Sequence, residues 1–381
     1  MTYQPSSTTA DPWPRSEPPA LTPGAEQREL RSAVRGLLTK HSDVASTRDI
    51  AETEPGFSRD LWGRLVDEMS VAALAVPESN GGLGYGTVEL GIILEECGRS
   101  LICEPVLSSA IVGTQALLLG AADGAVAPLL AQAMDDGLVV AVSTLDPAHD
   151  GVRAEKTDGQ WSLVGRATHV VAGNAADVVV VSAEAPDGRR IFAAGTETTS
   201  RIDRKVIDPT RRQTDIVFEG VSAVPLIGPA DVETFRTRIA DLTTLALACE
   251  NTGMTDRLLE LTLDHVVTRE QFGRPIGSFQ AIKHRLADLL MTLERARSAS
   301  RYAAAVYADD PDDARLAVAV AGAVCTDAAI EAASEAIQLH GGVGFTWEHP
   351  VHSYFRRALG NEALQGDSRS HRARIAELIG I

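Results

Sequence analysis

Residues 268–290 read TREQFGRPIGSFQAIKHRLADLL, and no other stretch limits the possible folds as much. An Arg, a Phe-Gly turn, a Pro-Ile-Gly turn and a Phe-Gln pair stand between two strongly helical stretches. After the turn, Ile282, Leu286, Leu289, Leu290 and Leu293 recur at helical spacing, so one face of that helix must be buried against other helices. The turn offers a cation and backbone N–H groups at helix ends, which suits an anionic ligand such as a pyrophosphate. An ordinary helix–turn–helix with a surface Arg is the plain alternative. A second segment, QLHGGVGFTWEHPVHSYFRRA at 338–358, again follows one helical stretch and precedes another. Its Gly341, Gly342 and Gly344 let backbone approach a ligand without interference from a Cβ. One such turn says little; two in succession within a helical bundle carry weight.

Length and charge set the outer bounds. A chain of 381 residues predicts two or three domains with ample buried cores. A net charge of −17 argues against a nucleic-acid surface, which needs basic patches. Four cysteines, Cys97, Cys103, Cys249 and Cys325, show neither metal nor disulfide spacing and read as buried free thiols in a reducing compartment. No apolar run is read as membrane-spanning and the N-terminus has no apolar signal core, so a cytoplasmic protein is expected.

The pattern then changes along the chain. Residues 1–25 are rich in Pro, Ser and Thr and are expected to form a flexible arm. A helical domain is expected over 26–137, opening with Leu30, Val34, Leu37 and Leu38 on one stripe and continuing with helices near 58–68, 87–99, 108–119 and 125–135. Short β-branched runs at 138–143, 161–164, 178–182, 191–193 and 215–218 predict a small antiparallel β-domain over 138–229. Helical periodicity returns over 230–381, with long helices expected at 232–265, 280–308 and 311–340 and a shorter terminal pair. There is no internal repeat.

Together with VPESNGGLGYGTVELGIILEECGR at 76–99, the two glycine-bearing turns resemble the acyl-CoA dehydrogenase family of flavoenzymes, from about residue 26 to the C-terminus. The resemblance extends to actinobacterial members, including subunits of heteromeric steroid side-chain dehydrogenases. It implies an α+β multidomain fold: an N-terminal α-helical domain, a middle antiparallel β-barrel and a C-terminal four-helix bundle. It also implies FAD, lying between the β-domain of one subunit and the bundle of a neighbour. On that pattern Arg269 and Phe272 reach the diphosphate and adenine side of the neighbour's FAD, and Gln280, Gln338, Gly341 and Gly342 complete the cradle. The alternative is that Arg269 caps a helix and the glycines merely end one.

The other half of the pattern is eroded. Where the family carries a Thr-Glu-Pro…Gly-Ser-Asp loop against the flavin, this chain has Ser143-Thr144-Leu145-Asp146-Pro147-Ala148-His149-Asp150. Where a flavin-facing strand usually reads Lys-x-Trp-Ile-Thr-Asn-Gly, it has Ala167-Thr168-His169-Val170-Val171-Ala172-Gly173. His169 is then either a stand-in for the Trp on the flavin edge or a structural strand residue. The family reaction removes an α-proton from an acyl-CoA thioester while the β-hydride passes to flavin, so a carboxylate must face the substrate. The two positions where relatives carry that Glu are Gln365 and Thr243 here. Glu250, two helical turns beyond Thr243 and about 10 Å along the axis, is the remaining acidic candidate. In an apolar run its pKa is expected to rise, which suits a general base. A buried Glu hydrogen-bonded across the bundle is the alternative. Asp241 matches a position that touches pantetheine in relatives, and Arg356 and Arg357 read as solvated or paired with acids. Ala246 and Ala248 are read as room for a bulky acyl group.

Three functions follow from the resemblance. In the first, the chain is one subunit of a heteromeric FAD-dependent acyl-CoA dehydrogenase whose homologous partner supplies the base. In the second, it is a self-sufficient homo-oligomer using Glu250. In the third, it is a non-catalytic member or one turned to other flavin chemistry. The partners implied are an acyl-CoA, a homologous or identical subunit and an electron-transfer flavoprotein. Neither a nucleic acid nor a membrane is expected, nor a metal.

Overall fold

A computed structural model describes residues 19–120, 124, 126–346 and 349–381, so the expected arm lies outside the described residues as far as residue 18. The N-terminal helices are α1 (Ala25–His41), α2 (Val44–Ala51), α3 (Arg59–Asp67), α4 (Thr87–Ser100), α5 (Thr114–Gly120) and α6 (Ala127–Asp135). A π-helical segment, Val106–Gly113, leads into α5. Local signals set their starts: the Ser58 hydroxyl accepts from Leu61 N, and Glu89 folds back onto the N–H of Gly86.

The sheet domain comprises β1 (Val140–Val142), β2 (Asp150–Thr157), β3 (Gln160–Val171), β4 (Val178–Ala185), β5 (Gly188–Gly195), β6 (Ser200–Asp203) and β7 (Gln213–Ile227). Strand order β4–β2–β3–β7–β5 closes on itself through the β4–β5 pairing, with β1 beside β4 and β6 beside β7. The barrel is mixed rather than purely antiparallel, because β1 and β2 both run parallel to β4. Crossovers return the chain to those edges in the same direction, a feature that alternating hydrophobicity does not encode.

From Val232 the chain is helical again. The helix α7 (Val232–Thr268) is followed by the hairpin β8 (Glu270–Gln271) and β9 (Arg274–Pro275), then by α8 (Gln280–Asp309), α9 (Arg315–His340), α10 (Val351–Gln365) and α11 (Ser368–Ile379). Phe272 and Gly273, both at positive φ, form the two-residue hairpin turn. Glycine decides how closely α4 and α7 pack: a Cβ on Gly253 would meet the Glu95 carbonyl at 1.8 Å, and one on Gly98 the Glu250 carbonyl at 2.2 Å. Contrary to the sequence reading, one segment among the described residues (Arg315–Phe345) is long and apolar enough to cross a membrane. Its most apolar stretch is mostly buried inside the protein, where Ala329, Ala332, Ala333 and Ala336 pack in the bundle core.

Helix α7 is the axis on which function is arranged. Its 37 residues span about 55 Å, with Thr243 near its start and Arg269 at its C-cap.

Candidate active site and cofactor cradle

A cavity of about 410 Å³ opens between the sheet domain and the N-terminal half of α7. Both positions where relatives carry a base, Thr243 and Gln365, line it, together with His169 and Ser143–Leu145. Neither side chain is a base. The Thr243 hydroxyl donates to the Ile239 carbonyl at 2.7 Å, and the Gln365 amide is hydrogen-bonded to Thr244 at 3.0 Å. Asp367, close in sequence, is occupied as the cap of α11, accepting from Ser370 N at 2.8 Å.

From Leu145 to Asp150 the loop facing this cavity turns its backbone donors on itself. Leu145 N donates to Ser143 Oγ, Asp146 N to Thr144 Oγ1, Ala148 N to Asp146 Oδ1, and His149 N and Asp150 N to the Asp146 carbonyl. Ser143 Oγ in turn bonds the buried Asp150 carboxylate at 2.5 Å, and burial pushes that carboxyl up to about 6. His169 sits at a bulge in β3 with φ +60°, its N–H held by Asp215 Oδ1 at 3.0 Å. Its ring meets His149 edge-on at 5.4 Å, which brings the loop and the strand together through their side chains. Partial burial and the nearby Arg204 hold the His169 imidazole below its ordinary range. Of the backbone N–H groups from Leu145 to Asp150, none is left over for an isoalloxazine or a diphosphate on this face.

Asp241 is corrected as a substrate ligand. It is 2% exposed and ion-paired to Arg374, with Arg315 at 3.8 Å. Burial pushes its carboxyl up despite those two cations. The guanidiniums of Arg236, Arg315 and Arg374 line the cavity instead. Sequence reasoning missed all three, because Arg374 stands 133 residues from the carboxylate that orients it. Glu233, the cavity's one lining carboxylate among the described residues, is paired with Arg236 at 2.9 Å. Ala246 and Ala248 belong to the core and line no part of this cavity, so they make no room for an acyl group.

Glu250 is not the group the sequence suggested. Burial opposes its charge, yet Arg211 and Arg357 outweigh burial and bring its pKa down to about 2, the reverse of the expected rise. Arg211 Nη2 and Arg357 Nη1 reach Oε1 at 2.6 and 2.7 Å, and Asn361 Nδ2 reaches Oε2 at 3.0 Å. Arg357, 1% exposed, continues to Asp208 at 2.5 Å and Thr210 Oγ1 at 2.6 Å. The network ties α7 and α10 to the chain between β6 and β7. A carboxylate so held has no free lone pair for a substrate proton and no wall in the cavity.

The far end of α7 is a different place. Arg269 caps the helix and is exposed, and among the described residues no carboxylate pairs with it. Phe272, 91% exposed, stands beside Phe279 with ring centroids 6.1 Å apart. Gln280 and Gln338 are exposed, and a Cβ placed on Gly341 or Gly342 would meet nothing within 4 Å. The two turns share one end of the bundle, because His265 of α7 and His340 of α9 stack at 4.2 Å. This end fits a diphosphate: an uncommitted guanidinium, open glycine backbone and aromatic cover. Thr243 and Arg269 are about 39 Å apart along α7, so the turn and the cavity lie at separate places on the helix.

A helical domain, a closed sheet and a helical bundle, in that order, are the architecture of the flavin-dependent acyl-CoA dehydrogenases. Family models agree: "Acyl-CoA dehydrogenase, N-terminal domain" matches residues 24–124 and "Acyl-CoA dehydrogenase, C-terminal domain" residues 237–380. The chain belongs to the acyl-CoA dehydrogenase family, FAD-dependent oxidoreductases acting on CH–CH donors. It is 34% identical to the acyl-CoA dehydrogenase IpdE2 of Mycobacterium tuberculosis over 90% of this chain and 94% of that one. Among solved structures it resembles the ChsE4–ChsE5 complex of Mycobacterium tuberculosis (TM-score 0.84, 28% identity, 95% of this chain and 99% of that one). It also resembles a variant of the Tcur3481–Tcur3483 steroid ACAD (TM-score 0.82, 27% identity, 95% and 99% covered).

Proposed function

We propose that this chain is the cofactor-lending subunit of a heteromeric acyl-CoA dehydrogenase that converts an acyl-CoA thioester to its trans-2-enoyl-CoA. A homologous partner contributes the catalytic base and the sheet face that receives the flavin. The supporting observation is the opposite state of the two ends of α7: at the cavity end both expected base positions, Thr243 and Gln365, lack a carboxylate, while the bundle end has an unpaired Arg269 and an open glycine turn.

When bound, FAD accepts the β-hydride of the acyl group. Arg269 holds its diphosphate, Gly341 and Gly342 let backbone N–H groups approach, Phe272 covers the adenine side, and Gln280 and Gln338 offer amide donors. Thr243, Gln365 and Glu250 hold no proton-accepting site toward a thioester, so the α-proton passes to a carboxylate of the partner. The relation to the Tcur3481–Tcur3483 steroid ACAD favours a bulky polycyclic acyl group. An electron-transfer flavoprotein in the cytoplasm is the proposed electron acceptor.

The visible flavin spectrum and FAD-to-protein ratio test this, first on the chain expressed alone and then with a homologous subunit. A colourless lone chain that gains one FAD per pair of chains is expected. A lone chain with full FAD that bleaches with an acyl-CoA overturns the reading.

A further inference from the structure

The two cofactor-facing turns are joined through imidazoles. His265 lies one helical turn before Arg269, whose N–H donates to the His265 carbonyl at 2.8 Å. His340 ends α9 and immediately precedes Gly341. Their rings stack with centroids 4.2 Å apart and planes 27° from parallel, and His349 packs against His340 at 4.3 Å.

Hydrogen bonding defines the tautomer of the middle ring. His340 Nδ1 donates to the Ala336 carbonyl at 2.7 Å. Its Nε2 is buried without a hydrogen-bond partner, in a side chain only 5% exposed. A neutral ring carries a bare lone pair there at modest cost. An imidazolium would bury a charged N–H with no acceptor.

The surroundings add no compensation. Arg269 faces His265 from the C-cap of α7; His352, on α10 and beside Arg356 and Arg48, faces His349. Among the described residues no carboxylate lies within 4 Å of His265, His340 or His349, the one such histidine contact being His149–Asp146. Burial first, then the neighbouring cations and imidazoles, hold His265 and His349 below their ordinary range, His349 down to about 4; burial alone lowers His340.

We propose that His265 and His340 are positioning residues of the cofactor cradle: their neutral stack holds the Arg269 turn against the Gly341 turn, and protonation of the stack loosens the grip on the cofactor. This rests on the lending role proposed above. A histidine with a depressed folded pKa contributes stability that is complete above its unfolded value of about 6.5 and is lost as pH falls toward the folded value. The cradle therefore weakens as pH falls below about 6.5.

The test is release of FAD from the holoprotein as isolated with its partner, followed by flavin fluorescence from about pH 7.5 to about pH 5. Wild type should lose FAD affinity by about tenfold or more over that range, as expected when at least one proton binds. His340→Phe keeps an aromatic stack that cannot titrate and should flatten the profile. A His340→Phe profile that matches wild type, or FAD held more tightly as pH falls, overturns the inference. Should that variant fail to fold, the imidazole C–H resonances of the wild-type holoprotein decide: FAD release without titration of the stacked histidines overturns it equally. A preparation without FAD overturns the lending role and this inference with it. FAD that responds to Arg269→Ala but has a pH profile indifferent to His340→Phe overturns the inference alone.

Discussion

The loop at residues 143–150 and the turns at the bundle end are both short, polar and glycine- or proline-bearing, yet they use their donors differently. In the loop, every backbone N–H from Leu145 to Asp150 that exists is already donated to Ser143, Thr144 or Asp146. At the bundle end Arg269 has no carboxylate partner among the described residues, and the space above Gly341 and Gly342 is open. Binding capacity depends on the donors left over after folding, not on the number of polar residues in a segment. The same contrast separates two carboxylates-by-position: Gln365 lines the cavity without a charge, while Glu250 has a charge and lies inside an ion-pair network.

The largest effect expected from breaking this contrast is at Glu250. Replacing it by Ala leaves Arg211 and Arg357 without their shared acid and should cost about 3–5 kcal/mol, read from the denaturant midpoint of the chain. A Glu250→Ala chain with wild-type stability and abolished turnover would restore Glu250 as a base. Next in size is Arg269→Ala, which removes charge-assisted hydrogen bonds of about 1.5–3 kcal/mol and should weaken FAD binding by the pair of subunits roughly ten- to hundredfold. The melting of the lone chain should shift by no more than about 0.5 kcal/mol, since the side chain is on the surface. Unchanged FAD affinity would make Arg269 an ordinary helix cap.

A pH series sharpens the Glu250 result. Its folded pKa, about 2, lies below the ordinary glutamate value of 4.5, so its contribution is complete above that value and disappears as pH falls toward 2. The stability difference between wild type and Glu250→Gln should therefore shrink steadily below about pH 4.5, as measured by urea unfolding. A difference constant down to acid pH would mean the ion pairs contribute nothing. The smallest effect is expected from Gln365→Glu. Restoring a carboxylate at the cavity should bring no bleaching of flavin by acyl-CoA in the lone chain, because the N–H groups from Leu145 to Asp150 stay committed within the loop. Activity in that single variant would show that the sheet half is intact.

Much of the architecture was readable along the chain because it is locally encoded. Periodicity marked α4, α7, α8 and α9, and the Phe272–Gly273 and Gly341–Gly342 turns marked the end of the bundle. The parallel pairings of β1 and β2 with β4 were not readable, since pairing direction depends on where a crossover returns. Arg236, Arg315 and Arg374 escaped notice for a related reason. An Arg in sequence has no sign that it will share a cavity, and Arg374 does so only because Asp241, far away in the chain, is buried beside it.

The sequence by itself determined that no carboxylate stands at Thr243 or Gln365, that the flavin loop is altered, and that Arg269 and the glycine turn remain, because these are matters of residue identity. Only the tertiary structure decided what the remaining acid does. Burial alone would have raised the pKa of Glu250, and that was the expectation from its apolar neighbours. Arg211 and Arg357 arrive from the chain between β6 and β7 and from α10, and at 2.6 and 2.7 Å they reverse the sign. The balance between desolvation and a nearby opposite charge is set by three-dimensional distance, which the order of residues does not contain.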